Sequence, residues 1–159
     1  KHLKTIMSSA DIPFFIFEGV GIQKKTLLEY ISKNELEDDV MLIGNMEHIF
    51  NLLNASDVIV VPSISNEDFP NVIIEAMSLG KPVIASDMGS IREIITDRTG
   101  YIFKPGDDNQ LSYLMEKFIK DKNLADKMRG SVLKQFNNNF TLERFNENMY
   151  KTFLDISNF

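Results

Sequence analysis

The chain has 159 residues, 43% of them hydrophobic and 25% charged, which suits one soluble domain with its own core; the lack of cysteine rules out disulfides and thiolate metal sites and fits a reducing compartment. A net charge of −6 argues against nucleic acid as a partner, because a phosphate backbone calls for a basic face. His2 and His48 are the only histidines, so a His-rich metal site is excluded, and no apolar run approaches the ~18 residues needed to span a membrane.

In chain order, "LKTIMSSA" (Leu3–Ala10) predicts a helix with Leu3, Ile6 and Met7 inward. "FFIFEG" (Phe14–Gly19), "VMLIG" (Val40–Gly44), "VIVVPS" (Val58–Ser63), "PVIAS" (Pro82–Ser86) and "GYIFKP" (Gly100–Pro105) are short apolar runs that predict buried strands. Their continuous rather than alternating apolarity predicts a sheet covered on both faces. Between them lie helical patterns at Lys24–Lys33, Glu47–Ala55 and Pro70–Leu79. The last has Pro near its first turn, where a missing N–H costs nothing, and Gly80 just beyond its end. "SIRE" (Ser90–Glu93) has the form of a capping box opening a short helix. Strand and helix alternate with short connections, so the fold class is α/β, with a parallel doubly wound sheet. From Asn109 onward the pattern is helical. Leu111, Leu114, Met115 and Phe118 share one face, Leu124, Met128 and Val132–Leu133 a second, and Leu142, Phe145, Met149 and Phe153 a third. "NNN" (Asn137–Asn139) predicts a break between the last two.

Open α/β sheets bind ligands at the carboxyl ends of their strands. "VVPS" ends a strand there, so the loop Ser63–Phe69 and the helix that follows form the functional edge. In "EDFPNVIIE", Glu75 lies about five residues inside that helix, ~7 Å along its axis, and Glu67 precedes it. Helix N-termini favour phosphate, and carboxylates accept from paired hydroxyls. The two acids can therefore serve one small ligand carrying both groups. Taken singly, Glu67 also reads as a solvated loop acid and Glu75 as an exposed helix position. Gly19 and Gly21 read equally as turn glycines, Lys1 as a surface lysine, and His48 as a surface residue rather than a base.

The stretch "SNEDFPNVIIEAMSLGKPVIAS" (Ser65–Ser86) resembles the donor-binding domain of retaining glycosyltransferases of family 4, which have the GT-B fold. That family carries two Glu eight positions apart in this setting. "FEGVG", "VMLIGNM", "DMGSIREII", "TGYIFKPGD" and "KHLKTI" resemble its other motifs in order, from Lys1 to about Ile156. The resemblance implies a Rossmann-like domain in which Glu67 binds the donor sugar and Glu75 the ribose. Backbone N–H groups near Asp68, Phe69 and Asn71 would face the sugar or diphosphate. Gly19 and Gly21 would admit the donor, Gly44, Asn45 and Met46 would flank the base, and Lys1 would reach the phosphates. Asp68 stands where the family has Gly, Ser90 replaces the second Gly of a Gly-Gly loop, and the sequence begins after the position of a family Arg.

The activity implied is transfer of a sugar from a UDP- or GDP-linked donor to an acceptor hydroxyl in surface glycan or polysaccharide synthesis. The catalytic contribution would come from Glu67. No metal or other cofactor is expected, since the nucleotide-sugar is a substrate. Residues 1–159 would be the donor domain truncated at its N-terminus, because Lys1 is not an initiator Met and a helix before the first strand implies an earlier strand. The acceptor domain, for a glycan or lipid-linked acceptor, would lie elsewhere, leaving an apolar face exposed. The location implied is cytoplasmic, peripheral to the inner face of the membrane through that domain. Two rival readings are a non-catalytic nucleotide-sugar sensor and a UDP-sugar epimerase on the same fold. The first is disfavoured by retention of both Glu, the second by the lack of recognisable catalytic acids and bases.

Overall fold

The structure is a computed structural model that describes residues 13–64 and 69–157. The expected helix at Leu3–Ala10, and Lys1, Glu67 and Asp68, lie outside the described residues. The chain divides into two compact units, residues 1–49 and 50–159.

In the first unit, β1 (Phe15–Glu18), α1 (Lys24–Lys33) and β2 (Val40–Ile43) form a parallel β-α-β unit with Phe15 opposite Val40 and Glu18 opposite Ile43. Helix α1 keeps the expected bounds and buries Ile31. Phe14, Ile16, Phe17 and Met41 are exposed, so burial on both faces does not hold for β1. Apolar content marked the strand correctly; among the described residues the apolar cover on it is thin.

Helix α2 (Ile49–Ala55), at the division between the units, buries Leu53 and starts two residues later than the sequence suggests. Three parallel strands follow in spatial order β3 (Ile59–Val61), β4 (Val83–Ser86), β5 (Gly100–Phe103), linked by α3 (Asn71–Ser78) and the short α4 (Ile91–Ile94). Central β4 is buried along its whole length, and its alternating side chains feed two cores. On one face Val83 and Ala85 join Val61 of β3 and Ile73, Ala76, Met77, Ile94 and Val132, from α3, α4 and α6 (Leu124–Asn139). On the other, Ile84 packs with Phe103 and Leu114 of α5 (Asp108–Lys120). Here the expectation of a sheet covered on both faces is met.

Gly100 is required where it stands: a Cβ there would lie 2.0 Å from the Val83 carbonyl oxygen. Gly80, at φ +72°, ends α3 in the left-handed region that glycine tolerates best. Pro70 stands at the N-cap of α3 (φ −73°, ψ 110°), next to its first turn as expected. Two local expectations are corrected. The Ser90–Glu93 capping box does not form; the Glu93 N–H binds the Ser90 backbone carbonyl at 2.9 Å, with no side-chain cap. The break at Asn137–Asn139 is absent, because α6 continues through Asn139 and Phe136 and Phe140 pack on the core across that stretch. Helix α7 (Leu142–Ser157) buries no residue and exposes Phe145, Tyr150, Phe153 and Ile156.

Candidate functional site

The candidate residues fall at the carboxyl ends of parallel strands, in two groups. In the first unit β1 ends at Glu18 and β2 at Ile43, which face each other in register, so the turn at Gly19 and the segment Gly44–Met46 leave from neighbouring points. Gly19 has φ +132° and donates its N–H to the Ile43 carbonyl at 3.3 Å. A Cβ at Gly19, Gly21 or Gly44 would meet nothing within 4 Å. The space beside them is open, and at Gly19 the backbone angle, not crowding, calls for glycine. Met46 donates its N–H to Glu18 Oε1 at 3.2 Å, which ties the segment after β2 to the end of β1. Sequence reasoning did not single out Glu18; an acid closing the apolar run "FFIFE" was the available signal.

In the second unit the loop leaving β3 leads to α3. Pro70 is buried, while Phe69 and Asn71 are exposed. The Phe69 ring sits edge-on to Phe140, with centroids 6.5 Å apart. Among the described residues no side chain caps the start of α3, and its first turn contains no acid. The first N–H groups of a helix have no intrahelical partner, and the macrodipole adds partial positive charge there. Glu75 is half-buried on this helix, four residues after Asn71 and so on the same face. The buried Ile73, Ala76 and Met77 hold that helix against the sheet, which keeps Glu75 at the edge of the core and not inside it.

The loop after β4 is braced by a fork in which Arg92 Nε donates to Asp87 Oδ1 at 2.7 Å and Arg92 Nη2 to Asp87 Oδ2 at 2.5 Å. This pairing with Asp87 raises the Arg92 pKa further. Ser90 and Glu93 lie in that loop and in α4, with Glu93 exposed. His48 is exposed in the turn before α2. Among the described residues, no group of three His, Asp or Glu is arranged to hold a metal ion. Lys1, Glu67 and Asp68 remain expectations from sequence. The chemistry available in the second unit is that of an anion at an open helix end, with a carboxylate further along the same helix to accept from hydroxyls.

Comparison with known proteins bears on that arrangement. The family profile described as "Glycosyl transferases group 1" matches residues 3–134. The chain belongs to the glycosyl transferases group 1 family. It is 29% identical to N-acetyl-alpha-D-glucosaminyl L-malate synthase of Bacillus anthracis over 88% of this chain and 38% of the relative. It is 27% identical to lipopolysaccharide 1,2-N-acetylglucosaminetransferase of Salmonella typhimurium over 96% of this chain and 43% of that protein. A solved structure of Anabaena Alr3699/HepE in complex with UDP has a TM-score of 0.81 at 22% identity, covering 96% of this chain and 46% of that one; this is a likeness of fold. The same protein in complex with UDP-glucose has a TM-score of 0.77 at 27% identity, covering 88% and 40%. The chain thus spans less than half the length of these relatives. No helix among the described residues is long and apolar enough to cross a membrane.

Proposed function

We propose that this chain is the donor-binding domain of a retaining glycosyltransferase that moves a sugar from a nucleotide-diphosphate sugar, UDP- or GDP-linked, to an acceptor hydroxyl in surface glycan or polysaccharide synthesis. The observation that carries the reading is the start of α3, where, among the described residues, no side chain caps the helix and a first turn without acids precedes the half-buried Glu75 on the same helix. A diphosphate at that end gains hydrogen bonds and a favourable dipole. Glu75, ~6 Å along the axis, is then within a nucleotide's length and accepts from both ribose hydroxyls.

Charge develops on the leaving diphosphate as the glycosidic bond breaks. The helix N-terminus and Lys1 are the groups assigned to meet it, and fixed donors of this kind are the main source of transition-state stabilisation in such reactions. Glu67 holds the sugar hydroxyls and so sets the position of the reacting carbon. No protein nucleophile is assigned. The reading assigns the backbone N–H groups of Asp68, Phe69 and Asn71 to the sugar or diphosphate, and Gly19, Gly21, Gly44, Asn45 and Met46 to the nucleoside. The reading includes no resident metal or other cofactor. It assigns the glycan or lipid-linked acceptor to a domain outside this sequence, and a cytoplasmic position peripheral to the membrane through that domain.

Support comes from the family, from the relative named as a lipopolysaccharide 1,2-N-acetylglucosaminetransferase, and from the HepE complexes, which make UDP and UDP-glucose the first ligands to try. The test is calorimetry of the chain against UDP, GDP, ADP and their sugars, with and without a chelator. Binding of one nucleoside diphosphate, unaffected by the chelator, is expected. Absence of binding to all three in a folded chain overturns the reading.

A further inference from the structure

Glu18 closes β1 opposite Ile43, the last residue of β2, so the chain leaves both strands of the first unit at the same level. Two N–H groups at these strand ends are already taken. Gly19 donates to the Ile43 carbonyl at 3.3 Å, and Met46 donates to Glu18 Oε1 at 3.2 Å. The second bond ties the carboxylate across the strand ends without exhausting it. An ionised carboxylate accepts through two oxygens, each with two lone pairs, so Oε2 and one lone pair of Oε1 can still accept from a ligand. Glu18 is exposed, and a Cβ at Gly19, Gly21 or Gly44 would meet nothing within 4 Å, so a ligand has room to approach it.

A carboxylate held in this way repels phosphate and accepts from N–H donors. The nucleobases differ in what they offer it. Guanine presents two donors side by side, N1–H and the 2-amino group, which match the two oxygens of a carboxylate. Uracil presents one N–H between two carbonyl oxygens, which a carboxylate repels. Adenine presents its amino group beside an acceptor nitrogen. We propose that Glu18 selects the base of the donor and that the base is guanine, so that the sugar is carried by GDP. The assignment rests on the donor-site reading above, in which Gly44, Asn45 and Met46 border the nucleoside, and it narrows the choice between UDP and GDP.

The test is calorimetry on the protein that carries this chain, as wild type and Glu18→Gln. The probes are GDP, UDP and inosine diphosphate, whose base keeps N1–H but lacks the 2-amino group. Glutamine retains one oxygen for the Met46 N–H and replaces the other by a donor, so it separates contact with the base from support of the segment after β2. Wild type is expected to bind GDP about tenfold more tightly than inosine diphosphate, the loss expected for one hydrogen bond to a charged group, and to bind UDP more weakly still. In Glu18→Gln the difference between GDP and inosine diphosphate is expected to shrink to within about twofold, with no loss of UDP affinity. Equal binding of GDP and UDP by the wild type, or a preference for UDP, overturns the proposal and leaves the donor-site reading standing. A difference between GDP and inosine diphosphate that survives Glu18→Gln also overturns it. So does an equal loss of all three ligands, which would make Glu18 a support for the backbone and not a reader of the base. Failure of the wild type to bind any of the three sinks the donor-site reading and the base assignment with it.

Discussion

Strands β1 and β4 carry the same kind of sequence, a short apolar run closed by a polar residue, yet they have opposite surroundings. Every residue of β4 is buried, with helices α3, α4 and α6 supplying apolar side chains to one face and α5 to the other. In β1, Ile16 and Phe17 are exposed, and α1 contributes a single buried residue, Ile31. An apolar run reports that an element exists; what covers it depends on partners far away in sequence. Stability is therefore expected to be concentrated in the second unit. The loops of the first, with open space beside Gly19, Gly21 and Gly44, have more freedom to rearrange.

The largest expected effect tests this contrast with two glycines. Gly100→Ala drives a Cβ to 2.0 Å from a backbone oxygen in the central pairing, where neither atom can give way. Loss of more than about 4 kcal/mol, or failure to fold, is expected. Gly21→Ala meets open space at an unexceptional φ and should cost under about 1 kcal/mol. Denaturant unfolding of both variants gives the comparison, and similar losses would break it. A second pair uses large side chains. Ile84→Ala, fully buried, should cost about 2–5 kcal/mol, while Phe17→Ala, 47% exposed, should cost under about 1 kcal/mol. A large loss at Phe17 would mean that β1 is covered in solution.

Much of the second unit was legible because its signals are local. The α3 boundaries follow from Pro70 and Gly80, and the faces of α5 and α6 from apolar spacing at Leu111–Phe118 and Leu124–Val132. The errors arose where tertiary contacts outweighed local preference. Three asparagines look like a break, but Phe136 and Phe140, on either side of them, pack on the core and carry the helix through. Of the candidate site, the helix that carries Glu75 could be read, because Pro70 and Gly80 mark its ends locally. The links from Ser86 to Ser63 and from Glu18 to Met46 join residues 23 and 28 positions apart, which no local pattern encodes.

The two acids of "EDFPNVIIE" sharpen the comparison at the level of function. Glu75→Ala should weaken nucleoside diphosphate and nucleotide-sugar alike by about 1–3 kcal/mol, because it removes hydrogen bonds to a charged group. Its half-buried position on the packed unit means that the melting temperature should hardly move. Glu67→Gln should leave nucleoside diphosphate affinity nearly intact and lower turnover of the sugar donor by up to ~10²-fold. Paired calorimetry and initial rates on the protein carrying this chain distinguish the two. Equal weakening of the bare nucleotide by both variants would remove the sugar assignment of Glu67.

The smallest effect concerns charge on the surface of the packed unit, and it asks whether that unit's stability comes from its core. Asp121, just before α6, accepts from Lys127 Nζ at 2.7 Å and from the Asn123 N–H at 3.1 Å. The hydrogen bond from Lys127 holds its carboxyl below the usual range, with the backbone N–H of Asn123 adding to the effect. Because the folded value lies below the unfolded one, the contribution to stability is fully present above the ordinary aspartate value of about 3.9 and is lost as pH falls through the lower folded value. An NMR titration should therefore place Asp121 below an ordinary aspartate, and Lys127→Ala should move it back up. The pair is solvent-exposed, so the same substitution should leave the unfolding midpoint at pH 7 almost unchanged, far from the loss expected for Ile84→Ala. If Lys127→Ala costs as much as Ile84→Ala, the second unit is held by its surface charges and the contrast between β4 and β1 has been assigned to the wrong cause.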